Sequence, residues 1–419
     1  MNVTELINRG LFGEPAFLLG MVAFIGLILI RADFHAVISG TVKTMVGYIL
    51  LQVGATAAGA SLSNLTLMIQ EGFRVIGIIP HNEAITALVQ VNYGQEVAIM
   101  MLIGMTGHLL IARFTPIKYI FLSGHHILFM SSVIASVLVA SVLNTTLNYL
   151  IGGLILALTL SLAPAISQPF VKQVVGHQNF AIAHFNSVGY VLAGFIARFF
   201  KPPKGPLQLP ASLRKIEPLM HDHILMISFF SFNLFFVSSL FVGPEAVSNL
   251  FSGRNFFVFS IIQAMWFSAG MYVILTGVRM MLAEIVPAFK GIAERWIPNA
   301  TPALDAPVLF TYAPYAAIFG FIISFTAGLV SMFVMSAMQF TVIIPGVIPH
   351  FFAGGAAGVI AYKIGGGRGL VVSSIFHGIL ITVLPLFLLG FMSELGFMRT
   401  TFGDSDLNII GILLGWLLQ

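Results

Sequence analysis

The sequence predicts an all-α polytopic membrane protein of about eleven transmembrane helices, built as two inverted repeats with re-entrant hairpins. Three observations carry that expectation. The 419 residues are 58% hydrophobic and only 8% charged, where a soluble domain carries roughly 25% charge. The apolar residues fall into runs near the roughly 20 residues that cross a hydrocarbon core. Short aromatic, basic and Ile-Pro signatures also recur in the same order in both halves.

The predicted spans are Phe17–Ile30, Thr41–Ala60, Glu96–Ala112, Ile120–Val142, Leu147–Ile166, His223–Val242, Phe256–Thr276, Leu309–Met335, Thr341–Tyr362, Leu370–Met392 and Leu407–Leu418. Phe17–Ile30 has no basic stretch before it and no small-residue cleavage site after it, so it is expected to be a retained helix rather than a signal peptide. Arg31 and Lys43, Arg113 and Lys118, and the group Arg198, Lys201, Lys204, Arg214 and Lys215 flank three connections. With the segment Asn179–Ala197 re-entrant, all three connections share one face. The positive-inside rule makes that face cytoplasmic and places the N-terminus outside, in the periplasm. The net charge of +4 is explained by these loops, and no nucleic-acid partner is expected.

The two halves echo each other. Phe73-Arg74, Ile79-Pro80 and Glu83 recur as Phe289-Lys290, Ile297-Pro298 and Asp305, and Phe114-Thr115-Pro116-Ile117 recurs as Phe340-Thr341-Val342-Ile343. Arg74 is the sole base of its segment, whereas Arg279, Lys290 and Arg295 mark its counterpart as cytoplasmic, so the copies are inverted. Inverted repeats with interrupted helices belong to transporters with a site near the midplane. The expected division is a first repeat over 1–197 (scaffold 1–60, core 61–197), a cytoplasmic basic loop over 198–222, a second repeat over 223–400 (scaffold 223–278, core 279–400), and a C-terminal helix over 401–419.

In hydrocarbon, a polar side chain is costly unless it faces a cavity or another polar group. The rare polar clusters therefore become the candidates for a substrate site: His81-Asn82-Glu83, Gly124-His125-His126, Gly176-His177-Gln178-Asn179 and Asp305. A Gly-His break frees backbone groups that only protein or water can satisfy, and exposed helix ends there hold polar ligands. The alternative is that these are interfacial histidines and ordinary turns. Asp305 lies in Pro302-Ala303-Leu304-Asp305-Ala306-Pro307, where two prolines break the helix, and its carboxylate must be paired, protonated or bound to ligand. Glu83 is its counterpart in the other half. Gln52 lies among small residues that also suit helix packing. Gln95 and Glu96 read as interfacial, and Gly365-Gly366-Gly367-Arg368-Gly369 reads as a turn. His35, His81, His108, His221, His223, His350 and His377 are assigned structural roles.

With no cysteine in the chain, disulfides, thiolate metal sites and cysteine nucleophiles are excluded. No His-Glu-x-x-His pair is present either, so neither a metal nor a cofactor is expected, and no residue is assigned to catalysis.

The chain resembles the membrane subunit, enzyme IIC, of the bacterial L-ascorbate phosphotransferase system, in the ascorbate/galactitol superfamily. The motifs that carry this are Gly40-Thr41-Val42-Lys43-Thr44 with Leu51-Gln52, Leu122-Ser123-Gly124-His125, Gly176-His177-Gln178, Leu207-Gln208-Leu209-Pro210, Gly277-Val278-Arg279-Met280 with Ala283-Glu284, Ile297-Pro298 before Asp305, Tyr312-Ala313-Pro314 and Ile343-Ile344-Pro345-Gly346. The resemblance implies an eleven-helix homodimer in the inner membrane, with a dimerising scaffold and a mobile, elevator-type core. It implies ascorbate contacts from Gly124, His125, Gly176, His177 and Asp305, with Gln52 from the scaffold and Glu83 nearby; His126 and Gln178 adjoin this set. A separate IIB chain, supplied by IIA, would carry the phosphocysteine. The sequence departs from the family at one place: His126 follows His125, and Phe129-Met130 occupy the turn where better-known members carry a Gln. The competing function is a proton- or sodium-coupled transporter of a related sugar or sugar acid that uses Asp305 and Glu83.

Overall fold

The computed structural model describes residues 15–73, 78, 80, 82–139, 144–176, 180–205, 207, 223–394 and 401–418. The chain is mostly helical. Helices α1 (Pro15–Leu29), α2 (Phe34–Phe73) and α3 (Asn82–Phe114) lead to strand β1 (Tyr119–Phe121). Helices α4 (Gly124–Val139) and α5 (Thr145–Val175), strand β2 (Ala181–Ile182) and helix α6 (Ser187–Ala197) follow. The second half holds α7 (His223–Val242), α8 (Pro244–Leu250), α9 (Phe256–Arg295), strand β3 (Thr301–Leu304) and a 3-10 segment, Ala306–Tyr312. It continues with α10 (Pro314–Ala337), a helical start at Val347 that passes through a π turn at His350–Gly354 into α11 (Gly355–Glu394), and finally α12 (Ser405–Leu418).

Among the described residues, four helical stretches are long and apolar enough to cross a bilayer: Thr145–Val175, Phe256–Val273, Pro314–Ala337 and His350–Met392. The bent pair Ile227–Val242 and Pro244–Leu250 adds a fifth if it is one span. Helices α4, α6 and α12 are apolar but short. The chain has the make-up of a polytopic membrane protein.

The helices pack mainly within two groups, which meet through contacts such as Phe267 against Phe351. Helices α1, α2, α7, α8 and α9 pack on one another, with α2 running along α9; α3 through α6 and α10 through α12 form the other group, around the strands. Positions 60 and 278 fall inside α2 and α9, which continue unbroken to Phe73 and Arg295. Glycine sets two close crossings. A Cβ on Gly270 would stand 2.6 Å from the backbone nitrogen of Ala58, and one on Gly320 would stand 2.6 Å from the Cα of Gly358. With little hydrophobic drive between helices in lipid, such close backbone approach is a main source of packing energy.

The strands are the departure from an all-helical expectation. β3 lies between β1 and β2, parallel to both, with Tyr119 opposite Thr301, Phe121 opposite Ala303 and Ile182 opposite Leu304. A separate parallel bridge joins Ile78 to Ile343. Backbone freed by broken helices needs internal partners at membrane depth, and strand pairing between the broken segments supplies them. Predicted spans that began at Ile120, Leu309 and Thr341 accordingly start later as helix, at Gly124, Pro314 and Val347. Gly366 carries the expected break, at φ 62° within α11.

Candidate functional site

Because β1, β3 and β2 run parallel, their chains all leave the small sheet at one edge. β1 releases Ser123-Gly124-His125-His126 into the start of α4, β3 releases Asp305, and β2 releases Ala183-His184. Sequence-distant polar residues thus converge on the central strand's carboxylate. The sheet is closed at this edge by Leu122 N–H donating to Ala303 O at 3.0 Å and Ala183 N–H donating to Leu304 O at 2.6 Å. Its outer edges are also paired: Phe121 N–H donates to His108 Nε2 at 3.0 Å, and the Gln168 amide donates to Phe180 O at 3.2 Å. His108 is held in turn by Ser161 Oγ at 2.8 Å, so its structural assignment agrees with its contacts.

Asp305 caps the 3-10 segment, its Oδ1 accepting from Ala306 N–H at 2.7 Å. His125 Nε2 stands 3.2 Å from Asp305 Oδ2, and His126 Nε2 stands 3.7 Å from Asp305 Oδ1. Tyr48 Oη of α2 lies 3.2 Å from His125 Nδ1. With Nε2–H directed at the carboxylate, His125 Nδ1 accepts from the tyrosine, and this bond bridges the two helix groups. His184 packs against His126 with ring centroids 4.1 Å apart, and His125 lies 4.5 Å from His126. Phe129 meets both His125 and His126 edge-on, at 5.7 and 5.5 Å. The aromatic ring thus forms an apolar wall against both imidazoles.

Of the predicted residues, Gly124, His125, His126 and Asp305 come together. Gly176 is the exposed left-handed cap of α5, its N–H donating to Lys172 O. His177 and Gln178 lie outside the described residues, as does His81. Gln52 and Glu83 lie in α2 and α3, with their side chains outside the described set. Sequence reasoning missed His184, which sits in the apolar run Phe180–Phe185 just before the helix-starting pair Asn186-Ser187.

It also missed the polar segment Asp404–Asn408. There the N-termini of α6 and α12 meet and exchange caps. Asp406 accepts from Ser187 N–H (2.8 Å), Ser187 Oγ–H (2.5 Å), Val188 N–H (3.0 Å) and Ser405 Oγ–H (3.0 Å). Asn186 Oδ1 accepts from Ser405 N–H at 3.3 Å. Asn82 joins the centre by donating to Asp404 Oδ2 at 2.7 Å and accepting from Gly403 N–H at 2.8 Å. From Asn186 a buried chain runs inward: amide to His377 Nε2 (2.7 Å), His377 Nδ1 to Ser324 Oγ (3.1 Å), Ser324 Oγ to His350 Nδ1 (2.9 Å) and His350 Nε2 to Thr382 Oγ1 (3.1 Å). An amide nitrogen only donates, so His377 accepts at Nε2 and passes its Nδ1 proton toward Ser324. Every later bond then has one direction.

Broken apolar helices whose N-termini meet buried polar groups are a setting in which membrane transporters place polar sites. The chain belongs to the family described as PTS system sugar-specific permease component (EIIC-GAT), which matches residues 10–406. It is also similar to the protein named "Ascorbate-specific PTS system EIIC component" of Mycoplasma pneumoniae, with 24% identity over 423 aligned positions. That alignment covers 88% of this chain and 64% of the relative, so the chain spans just under two thirds of the relative's length.

Proposed function

We propose that this chain takes up L-ascorbate across the bacterial inner membrane as the permease of a phosphotransferase system, delivering it to a phosphorylated IIB partner supplied by IIA. The observation that carries the reading is the convergence of His125, His126 and His184 on Asp305 at one edge of the parallel sheet. Ascorbate is a small polyhydroxylated anion. Imidazole N–H groups donate to its oxygens, and Asp305 accepts from its hydroxyls. The proposed substrate set is Gly124, His125, His126 and Asp305 with His184, completed by Gln52, Glu83, Gly176, His177 and Gln178. The chain has no cysteine, so the phosphoryl-carrying thiolate belongs to the partner.

The proposed mechanism is rigid movement of a core (61–197 and 279–400) past a scaffold (1–60 and 223–278) that dimerises within the lipid. Pseudo-symmetry supports a duplicated, inverted origin. α2 and α9 are each 40 residues long and begin 222 positions apart, at Phe34 and Phe256. The Ile78–Ile343 bridge and the Tyr119–Thr301 pair are counterparts under the same shift: Thr301 lies 223 positions after Ile78, and Ile343 lies 224 after Tyr119. Two arrangements of similar energy follow from exchanging the conformations of such repeats.

Binding of ascorbate by the purified chain, measured against a panel of sugars and sugar acids, tests the substrate. Uptake into right-side-out vesicles, with and without the cytosolic phosphorelay proteins, tests the coupling. Uptake that proceeds at full rate without the relay refutes the phosphotransferase reading in favour of ion coupling.

A further inference from the structure

His126 and His184 also approach a second carboxylate. One ligand-capable atom from each of His126, His184 and Asp404 lies within 4.8 Å of the other two, and all three residues are buried. They arrive from three separate places: the first turn of α4, the chain just past β2, and the residue preceding α12. Nδ1 of His126 and Nδ1 of His184 have no hydrogen-bond partner, although each residue is only 3% exposed. A buried polar atom left unsatisfied is costly. Two such atoms, on residues that cluster with one carboxylate, point to a ligand position whose occupant accepts electron pairs from nitrogen and oxygen together.

That donor set identifies the chemistry. Neutral imidazoles with a carboxylate suit first-row divalent ions such as Zn²⁺ and Co²⁺, whereas Mg²⁺ and Ca²⁺ favour oxygen-only shells. Metal–ligand bonds of about 2.0–2.2 Å set neighbouring tetrahedral ligands about 3.3–3.6 Å apart, so the three groups are already near coordinating distance. Groups outside the three ligands hold them in place as outer-shell partners do in metal sites. His126 Nε2 faces Asp305 Oδ1 at 3.7 Å, leaving Nδ1 as its free donor, and Asp404 Oδ2 is fixed by the Asn82 amide at 2.7 Å. We infer that His126, His184 and Asp404 form a three-ligand site for a divalent first-row transition metal ion, with a fourth position left open. An ion there neutralises Asp404 and sets a Lewis-acidic position beside the His125–Asp305 pair. The inference does not depend on what the chain transports.

The test uses the full chain, purified in detergent, free of any histidine tag and stripped with chelator. Zn²⁺ is added in equilibrium dialysis with metal analysis, and Co²⁺ is followed by its visible absorption. The expected result is one Zn²⁺ per chain with micromolar or tighter affinity, and intense Co²⁺ bands typical of a low-coordinate site. Asp404→Asn and His184→Gln should each weaken binding at least tenfold, while His35→Ala, at an exposed histidine, leaves it unchanged. Substoichiometric Zn²⁺, or binding that survives both ligand substitutions, overturns the site. If the variants do not fold, the unmodified chain still decides: a weak octahedral Co²⁺ spectrum overturns the proposal as well.

Discussion

Asp406→Asn should destabilise the protein without altering any side chain's volume. The carboxylate accepts four hydrogen bonds, two at each oxygen: Ser187 N–H and Oγ–H at Oδ2, Val188 N–H and Ser405 Oγ–H at Oδ1. An asparagine oxygen keeps one pair, and its NH₂ then confronts the other. A serine hydroxyl can turn and accept from that NH₂, but a backbone N–H cannot. One buried N–H of the first turn of α6 is therefore orphaned, at about 1–3 kcal/mol. Loss of the negative charge at that helix N-terminus adds about 0.3–2 kcal/mol. No local residue takes over, because Asn186, at the capping position, makes no capping bond and has its amide committed to His377 and Ser405. The total of about 1.3–5 kcal/mol should lower the midpoint of thermal unfolding in detergent by several degrees, with or without substrate. A midpoint equal to wild type would show that the carboxylate is not the cap, and the account of the facing helix ends would fail.

Asp305→Asn should weaken substrate binding by about 1.5–3 kcal/mol, tenfold to hundredfold, through loss of the charge in its contact with His125; unchanged affinity by calorimetry would remove Asp305 from the site. His377→Ala should lower the thermal midpoint, because it strands the Asn186 amide and breaks the chain to Ser324 and His350. His377→Gln, which restores an acceptor toward Asn186, should recover part of the loss, and equal midpoints for the two variants would count against the one-directional chain. A short thiol crosslink between cysteines placed at 48 and 123 ties α2 to the turn before α4, so transport should stop while substrate binding survives; transport at the normal rate in crosslinked protein would eliminate the moving core.

The helical, polytopic membrane character was legible because it rests on composition and run length, which lipid imposes on every exposed position. The polar cluster was half legible. Gly124, His125, His126 and Asp305 announced themselves as polar groups beside Gly or Pro, the signature of a broken helix. His184 carried no such mark: it stands between Ala183 and Phe185, two residues past a two-residue strand, and only the pairing of that strand with β3 brings it beside His126. The strands themselves escaped notice because Tyr119–Phe121 and Thr301–Leu304 are too short to show a period of two. Their partners lie about 180 and 120 residues away. Asp406 stands in the first turn of the last helix, and nothing local signals that the helix whose N–H groups it caps, α6, belongs to the other half of the chain.

Rarity of polar residues therefore finds polar interiors, but it does not by itself separate a substrate site from scaffolding. Accounting for the backbone does. His108 and Gln168 spend themselves on the open edges of the sheet. Asn82, Asn186 and Asp406 serve the N–H groups at Gly403, Ser405 and Ser187-Val188, and His350 and His377 satisfy each other through Ser324. These are the costs of interrupting helices at membrane depth. After this subtraction, the imidazoles of His125, His126 and His184 face each other and Asp305 rather than any main-chain group. Three imidazoles that serve no main-chain group are held beside Asp305, which also caps Ala306 N–H, at considerable desolvation cost, and the proposed polar ligand would give that arrangement its physical reason.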